Sequence, residues 1–315
     1  MKGKLLELLS REKRRPLSGQ YLASLLGVSR VSIWKHIRKL QQLGYEIRPS
    51  AKGYRLIRRP DALFPWEFPA WESRIEYFPV LDSTMNRAKE LARRGCQHLT
   101  VVAANRQTKG RGRMDRGWHS AEGGLYFTVV TRPGIPPALM HRLGFTASVC
   151  LVRSLAALYK IEPRIKWPND ILLNGGKLCG ILCEMEAEAD AVRFLNIGIG
   201  INVNNRPQME KGDAISLSCV LKRGVARKEI LARFLNEFER EIERDGYPGV
   251  LEEWRSRSIT LNKRVEVVMP RETIRGTAVD IGQDGALIVE SVDGSRKRAY
   301  YGDCFHSQSG KRNEP

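Results

Sequence analysis

Three stretches of the chain combine residue types and spacings that could do chemistry. The first is Gln107-Thr-Lys-Gly-Arg-Gly-Arg-Met-Asp-Arg-Gly-Trp118, with three glycines, four cations and no apolar periodicity. Its glycines let a ligand approach the backbone closely. Its arginines can grip phosphate oxygens in bidentate fashion, and Trp118 could close over a planar group. With so few apolar anchors, the loop is expected to be mobile when empty. A disordered arginine-glycine tail for nucleic acid is the competing reading, and the loop's position between two core strands argues against it.

The second stretch is Lys166-Trp-Pro-Asn-Asp170 followed by Ile171 to Glu184. Asn174-Gly175 is a strong signal for a two-residue hairpin turn, pairing a strand at Ile171–Leu173 with one at Lys177–Glu184. Lys177 is then a cation at the root of an apolar strand, near Gly180, where a ligand could reach the backbone. A lone lysine at a strand end is more often a solubilising group; the adjacent glycine gap favours a site. The third stretch reads by parity. Asn196, Gly198, Gly200, Asn202 and Asn204 share one strand face, and Ile197, Ile199, Ile201 and Val203 share the other. The isoleucine face packs into the core. The glycine face is flat and flanked by amides, with room for a compact ring system. Each glycine weakens a strand by roughly 0.5–1 kcal/mol, which suggests a compensating use.

These stretches need elements to hold them. From about Phe64 to Asn262 strands and helices alternate. Strands are expected at 99–104, 125–130 and 194–203, and helices at 138–159 and 227–244, giving an α+β domain on a mixed sheet. Ahead of it lies a basic segment. The chain carries a net +18, and residues 1–60 hold fifteen Lys or Arg against three Glu, about +12, which points to a polyanionic partner. Leu17 to Ser29 reads as helix, glycine turn, then a second helix capped by Ser29. Ile33, Ile37 and Leu40 face inward. Ser29, Arg30, Ser32, Lys35, His36 and Lys39 lie toward a polar front suited to the major groove. Strands around Pro49-Ser-Ala-Lys-Gly53 form a wing that adds Lys52. Trp34 is expected at the core margin, or against a thymine methyl. Past Lys263 short strands dominate, as in a small SH3-like β-barrel, and the chain from Phe305 on is expected to fray. The six cysteines form no C-x-x-C pair, so no zinc site follows, and Cys179 and Cys183 read as core thiols. No membrane span or signal peptide is evident, and a reduced cytoplasmic location fits.

In this order and combination the motifs resemble the biotin protein ligase family. They are the winged N-terminus, Leu81-Asp-Ser-Thr84, the Gly110–Trp118 loop, Lys166–Asp170, Gly176-Lys-Leu-Cys-Gly-Ile-Leu182 and Gly198-Ile-Gly-Ile-Asn202. The resemblance implies a multidomain α+β protein: a winged helix-turn-helix at 1–62, a catalytic domain like that of class II aminoacyl-tRNA synthetases at 63–262, and the SH3-like domain at 263–315. It implies that Ser83, Thr84 and Gln107 hold the ureido ring of biotin, with Gly110, Arg111, Arg113, Lys177, Gly180, Gly198 and Gly200 completing the pocket. Arg111, Arg113, Arg116 and Trp118 would order around the adenylate, and Asn169, Asp170, Lys177 and Asn202 would sit near the reacting carboxylate and phosphate. Lys177, Arg113 and Asp170 are the catalytic candidates. Met114-Asp115 is more acidic than in some relatives. Biotin, ATP and Mg2+ are the implied ligands, with metal ligands unassigned. A biotin carboxyl carrier protein, operator DNA and a second copy of the adenylate-bound chain are the implied partners. A biotin-sensing repressor without catalysis is the alternative; a lipoate ligase fits the arginine loop and basic N-terminus less well.

Overall fold

The computed structural model describes residues 1–12, 14–188, 191–207, 214–244 and 247–306. The chain divides into two compact units, Met1–Ser73 and Arg74–Pro315.

The first unit holds α1 (Lys2–Arg11), α2 (Gly19–Leu26), α3 (Arg30–Gln42) and a hairpin of β1 (Glu46–Ser50) and β2 (Gly53–Arg58). Local chemistry sets its boundaries. Ser18 and Ser29 accept from the Tyr21 and Ser32 backbone N–H groups, each at 3.1 Å, capping α2 and α3. Gly27, at φ 65°, ends α2 in the left-handed conformation. Leu5, Leu6, Leu9, Leu22, Ile33, Ile37 and Leu40 form the core. Ser29, Arg30, Lys35, Lys39 and Lys52 are exposed, and Ser32 and His36 half-buried, so the expected polar front is present. Trp34 departs from its expected place at the core margin. It is 51% exposed, with the Arg38 guanidinium 5.9 Å from its ring centroid. Trp66 Nε1 donates to the Tyr45 hydroxyl at 2.9 Å, and that hydroxyl donates to Glu67 at 2.6 Å. This network, with Phe64 stacked on Trp66, ties residues 63–73 to the winged helix.

The second unit is built on a seven-stranded sheet. Its strands are β3 (Ile75–Leu81), β4 (Thr100–Gln107), β5 (Leu125–Thr131), β6 (Arg164–Lys166), β7 (Asp170–Leu173), β8 (Gly176–Glu188) and β9 (Ala191–Ile201), in the order β3-β4-β5-β9-β8-β7-β6. Only β3–β4 is parallel. Asn174 and Gly175, both at positive φ, make the turn between β7 and β8. The helices are α4 (Thr84–Arg93), α5 (His141–Tyr159), α6 (Leu217–Leu221), α7 (Arg227–Glu243) and α8 (Tyr247–Arg257). The parity expected for β9 holds. Ile197 and Ile199 pair with Cys183 and Phe127, on the side where Phe127 meets Phe234 of α7 and Cys183 meets Gly144 of α5. Gly198 lies on the other side, under Met85 of α4.

Five short strands follow: β10 (Arg264–Val268), β11 (Thr273–Ile281), β12 (Leu287–Glu290), β13 (Arg296–Ala299) and β14 (Asp303–His306). They form an antiparallel sheet in the order β13-β12-β11-β10-β14. Phe305 and His306, expected to fray, instead pair with Glu266 and Val265; the remainder of that expectation lies outside the described residues. The barrel region and the ligase sheet lie in one compact unit. Trp167 donates to the carbonyl of Gly285 at 3.3 Å, and its backbone N–H to Thr260 Oγ1 at 3.0 Å. No helix among the described residues is long and apolar enough to cross a membrane.

Burial pushes the thiols of Cys150 and Cys179 well above the usual range, and those of Cys183 and Cys304 up to about 12 and about 11. The thiolate is the reactive form, so a raised value keeps these groups protonated and inert at neutral pH. Cys219 is exposed. Iodoacetamide at neutral pH should therefore modify Cys219 while sparing Cys150, Cys179, Cys183 and Cys304 until the chain is unfolded. Peptide mass mapping checks this; rapid alkylation of Cys179 in the folded protein would contradict the burial described.

Candidate functional site

The site is built where β8 and β9 run side by side without side chains on one face. Gly180 pairs with Gly200, and the Trp118 indole lies over both. A Cβ on Gly180 would come 3.0 Å from Trp118 Cζ3, and one on Gly200 would come 2.5 Å from Trp118 Nε1. The indole N–H is buried and has no hydrogen-bond partner. The floor read from parity as room for a ring thus carries the protein's own aromatic ring.

Trp118 is delivered by a loop more ordered than its composition suggested. Gly112 N–H donates to Arg116 O at 2.7 Å, and Trp118 N–H to Gly110 O at 2.9 Å, making a miniature hairpin. Met114 and Asp115 turn its tip at φ 52° and 57°, the backbone a tight two-residue turn requires. At its base, a Cβ on Gly110 would come 2.4 Å from Trp118 O, so only glycine lets the two limbs close. Backbone pairing and a seated indole supply contacts that apolar side chains of the loop do not.

The loop cations diverge. Arg111 reaches back to Glu184 at 2.7 Å and to Asn86 at 3.3 Å. Arg113 donates to Asn169 Oδ1 at 3.3 Å and to Gly302 O at 3.2 Å, and burial lowers its pKa from the usual arginine value. Arg116 forms an ion pair with Asp303, which holds that carboxyl below its usual range. Asp303, Gly302, Glu184 and Asn86 carried no signal in sequence, because each is defined only by the arginine brought to it.

Near the floor, Lys177 Nζ lies 2.7 Å from Asp170 Oδ1 and 5.4 Å from the Trp118 ring centroid. The structure therefore brings Lys177, Asp170, Trp118, Gly180 and Gly200 together. Asn169 and Asn202 are already engaged as supports. Asn169 Nδ2 donates to Ile181 O at 2.8 Å. Asn202 receives Asn205 on its oxygen at 2.9 Å and reaches Lys177 O at 3.4 Å. Asn202, expected near the phosphate, is buried and also braces the Lys177 strand.

The opposite end of the floor is set by the start of α4. Ser83 is its N-cap residue, yet its hydroxyl makes no cap bond and is buried without a partner. Gln107 replaces it: Gln107 Oε1 accepts from Thr84 N at 2.7 Å and from Thr84 Oγ1 at 3.0 Å. Ser120 accepts from Gln107 Nε2 at 2.8 Å, and Thr128 donates to Thr84 Oγ1 at 2.9 Å. The three residues expected to hold the head group do meet, and Ser83 Oγ is left unspent. Thr128 and Ser120 were not legible as site residues. Among the described residues no group of three or more His, Cys, Asp and Glu could hold a metal.

Gly200→Ala should unseat Trp118, since its Cβ would lie 2.5 Å from the indole nitrogen, far inside van der Waals contact. The expected outcome is a red-shifted tryptophan emission and a loss of ligand affinity of at least about tenfold, as overpacking costs about 1–3 kcal/mol. Unchanged emission and affinity would mean that the indole does not rest on this floor.

With the geometry in place, comparison with known proteins is informative. Residues 77–204 match the biotin/lipoate A/B protein ligase family, residues 3–55 an HTH domain, and residues 260–307 the biotin protein ligase C-terminal domain. The chain is 37% identical to the bifunctional ligase/repressor BirA of Bacillus subtilis (strain 168), over 93% of this chain and 95% of that one. It is 28% identical to the protein of the same description from Escherichia coli (strain K12), over 87% and 88%. Among solved structures, the biotin protein ligase from Aquifex aeolicus in complex with biotin and ATP aligns with a TM-score of 0.64 at 28% identity. That alignment covers 75% of this chain and 99% of the other. The chain belongs to the biotin protein ligase family, in its bifunctional ligase/repressor form with an N-terminal helix-turn-helix.

Proposed function

We propose that this chain activates biotin with ATP, transfers it to a lysine of a biotin carboxyl carrier protein, and represses transcription through its winged helix. The carrying observation is the glycine floor, with Lys177 and Asp170 at one end and Ser83, Thr84 and Gln107 at the other. It suits a ligand with a polar ring at one end and a carboxylate at the other.

In the first step a biotin carboxylate oxygen attacks the α-phosphorus of ATP, and the bond to the β-phosphate oxygen breaks, releasing pyrophosphate. In the second, the carrier amine attacks the acyl carbon of biotinyl-adenylate, and AMP leaves. Neither step needs an enzyme nucleophile, in keeping with the inert Cys179 and Cys183. The chain contributes position and positive charge. Lys177 exchanges its contact with Asp170 for the phosphate. Asp170 Oδ1 is then free to take a proton from the carrier ammonium. Arg113 and Arg116 turn from Gly302 and Asp303 to the adenylate, and Trp118 closes over it to exclude water. Magnesium would supply charge neutralisation on the triphosphate. The donor set fits an ion carried mainly by phosphate and water with Asp170 as one carboxylate, as magnesium commonly binds. Biotin-dependent exchange of labelled pyrophosphate into ATP tests the first step. Lys177→Ala should lower it at least about a hundredfold, the scale of losing one transition-state charge contact, with the melting temperature retained. A folded variant with near-normal exchange removes Lys177 from the chemistry; exchange absent in the wild type would favour a pure sensor.

The exposed cations Arg30, Lys35, Lys39 and Lys52, with Ser29, Ser32 and His36, are the proposed DNA face. The second copy and the carrier are proposed to compete for one sheet edge, for which the edge strand β3 is the candidate. The protein is proposed to act in the cytoplasm. Neutralising about six phosphates would make log K for operator DNA fall by about five per decade of salt. Biotin plus ATP should strengthen both self-association and DNA binding, by a coupling of about 1–3 kcal/mol, and added carrier should reverse both. Sedimentation and DNA titration check this; self-association indifferent to the adenylate would sink the switch and leave the ligase assignment standing.

A further inference from the structure

Beyond the residues already placed around the head of the ligand, one side chain on the same floor has no structural purpose in view. Asn196 is fully buried, and neither its amide nitrogen nor its amide oxygen has a hydrogen-bond partner. Buried polar side chains almost always have partners, and an asparagine offers both two donors and an acceptor. Leaving all of them unmet inside a central strand calls for a partner that comes and goes.

The position of Asn196 says what kind of partner. Along β9 the face read in order is Asn202, Gly200, Gly198, Asn196. At about 3.3 Å per residue, Asn196 lies about 13 Å beyond Gly200. Lys177 and Trp118 mark the first part of that line. Gly198 is paired with Thr128, whose hydroxyl reaches Thr84, so the head-binding group sits at the third position. Asn196 is the next station, paired with Val130 on one side and Glu184 on the other. Over Gly198, the residue next to Asn196 on this face, lies a flexible side chain. Met85 Sδ lies 2.6 Å from where a Cβ on Gly198 would be. A methionine can swing aside at low cost, and the absence of a side chain on Gly198 leaves room beneath it.

We propose that Asn196 is a specificity determinant for the cyclic urea of the substrate, reached when Met85 is displaced. This rests on the assignment of Ser83, Thr84 and Gln107 to the head group. The bonding inventory closes on that basis. A cyclic urea presents two N–H donors and one carbonyl oxygen with two lone pairs. The Asn196 oxygen takes one N–H and its NH2 donates to one lone pair, a paired contact like that between two amides. The Ser83 hydroxyl, also buried and unpartnered, donates to the second lone pair. The acceptor cluster of Gln107 and Thr84 takes the second N–H. The orphaned groups of Ser83 and Asn196 are thereby both used, and each urea group is met once.

The test uses the full-length protein, with biotin and 2-iminobiotin, in which an imino group replaces the urea oxygen, as probes. Asn196→Val removes both contacts without adding bulk. It should weaken biotin binding at least about tenfold, leave KM for ATP unchanged, and leave the melting temperature the same or higher. Asn196→Asp exchanges the donor for an acceptor, so the ratio of biotin to iminobiotin affinity should fall at least about tenfold. A lowered melting temperature with biotin and iminobiotin affinities changed equally in both variants would make Asn196 the holder of a structural water, and overturn the proposal. Unchanged biotin affinity in Asn196→Val would do the same. Gln107→Ala and Thr84→Val separate the two levels of inference. If these weaken biotin while Asn196→Val does not, only the Asn196 assignment fails. If none does, the head-group assignment fails and takes this one with it.

Discussion

A bare strip of backbone governs the second unit. Where Gly180 pairs with Gly200, two adjacent strands present no Cβ atoms on one side. A strand pays for such residues in stability, roughly 0.5–1 kcal/mol for each glycine, and the cost is tolerable because β9 is buried between β5 and β8 and packed from beneath by α5 and α7. The isoleucine face supplies the packing, and the glycine face supplies the space. Everything else at the site is arranged relative to that plane: the lysine at its mouth, the start of α4 at its head, and the arginine loop that lays Trp118 upon it.

The seated indole and the hairpin behind it account for the order of the loop. An indole resting on peptide planes gains contact area that the polar loop cannot gain elsewhere, and the hairpin behind it satisfies backbone groups. The unpartnered indole N–H is consistent with a ring that has a second resting place. The arginines are parked in a similar way. Arg111 and Arg116 are paired with the carboxylates of Glu184 and Asp303, and Arg113 with the carbonyl of Gly302.

Much of this was legible before any coordinates, because it depends on local order. Glycine parity on β9, the Asn174-Gly175 turn, the capping Ser29 and the apolar stripe of α3 are each set by neighbours within a few positions. What was illegible is long-range. Nothing near Asp303 in sequence marks it as the partner of Arg116, 187 positions away. Nothing near Thr128 marks it as a support for Thr84. Nothing in the motif marks the amide of Asn202 as a brace for the Lys177 strand. Nothing near Tyr45 in sequence marks it as the partner of Trp66 and Glu67.

These long-range contacts also bear on how the C-terminal sheet earns its place. It contributes no group with obvious chemistry, yet it holds two of the three loop arginines, through Gly302 and Asp303, and receives Trp167 of the Lys166–Asp170 motif at Gly285. Gly302 and Asp303 lead into and begin β14, whose register against β10 places them. The position of Arg113 and Arg116 is thus set by a strand pairing nearly two hundred residues downstream. A change in that pairing would alter the resting state of the loop without touching any group that contacts a ligand, which makes the C-terminal sheet part of the site's electrostatics rather than an appendage to it.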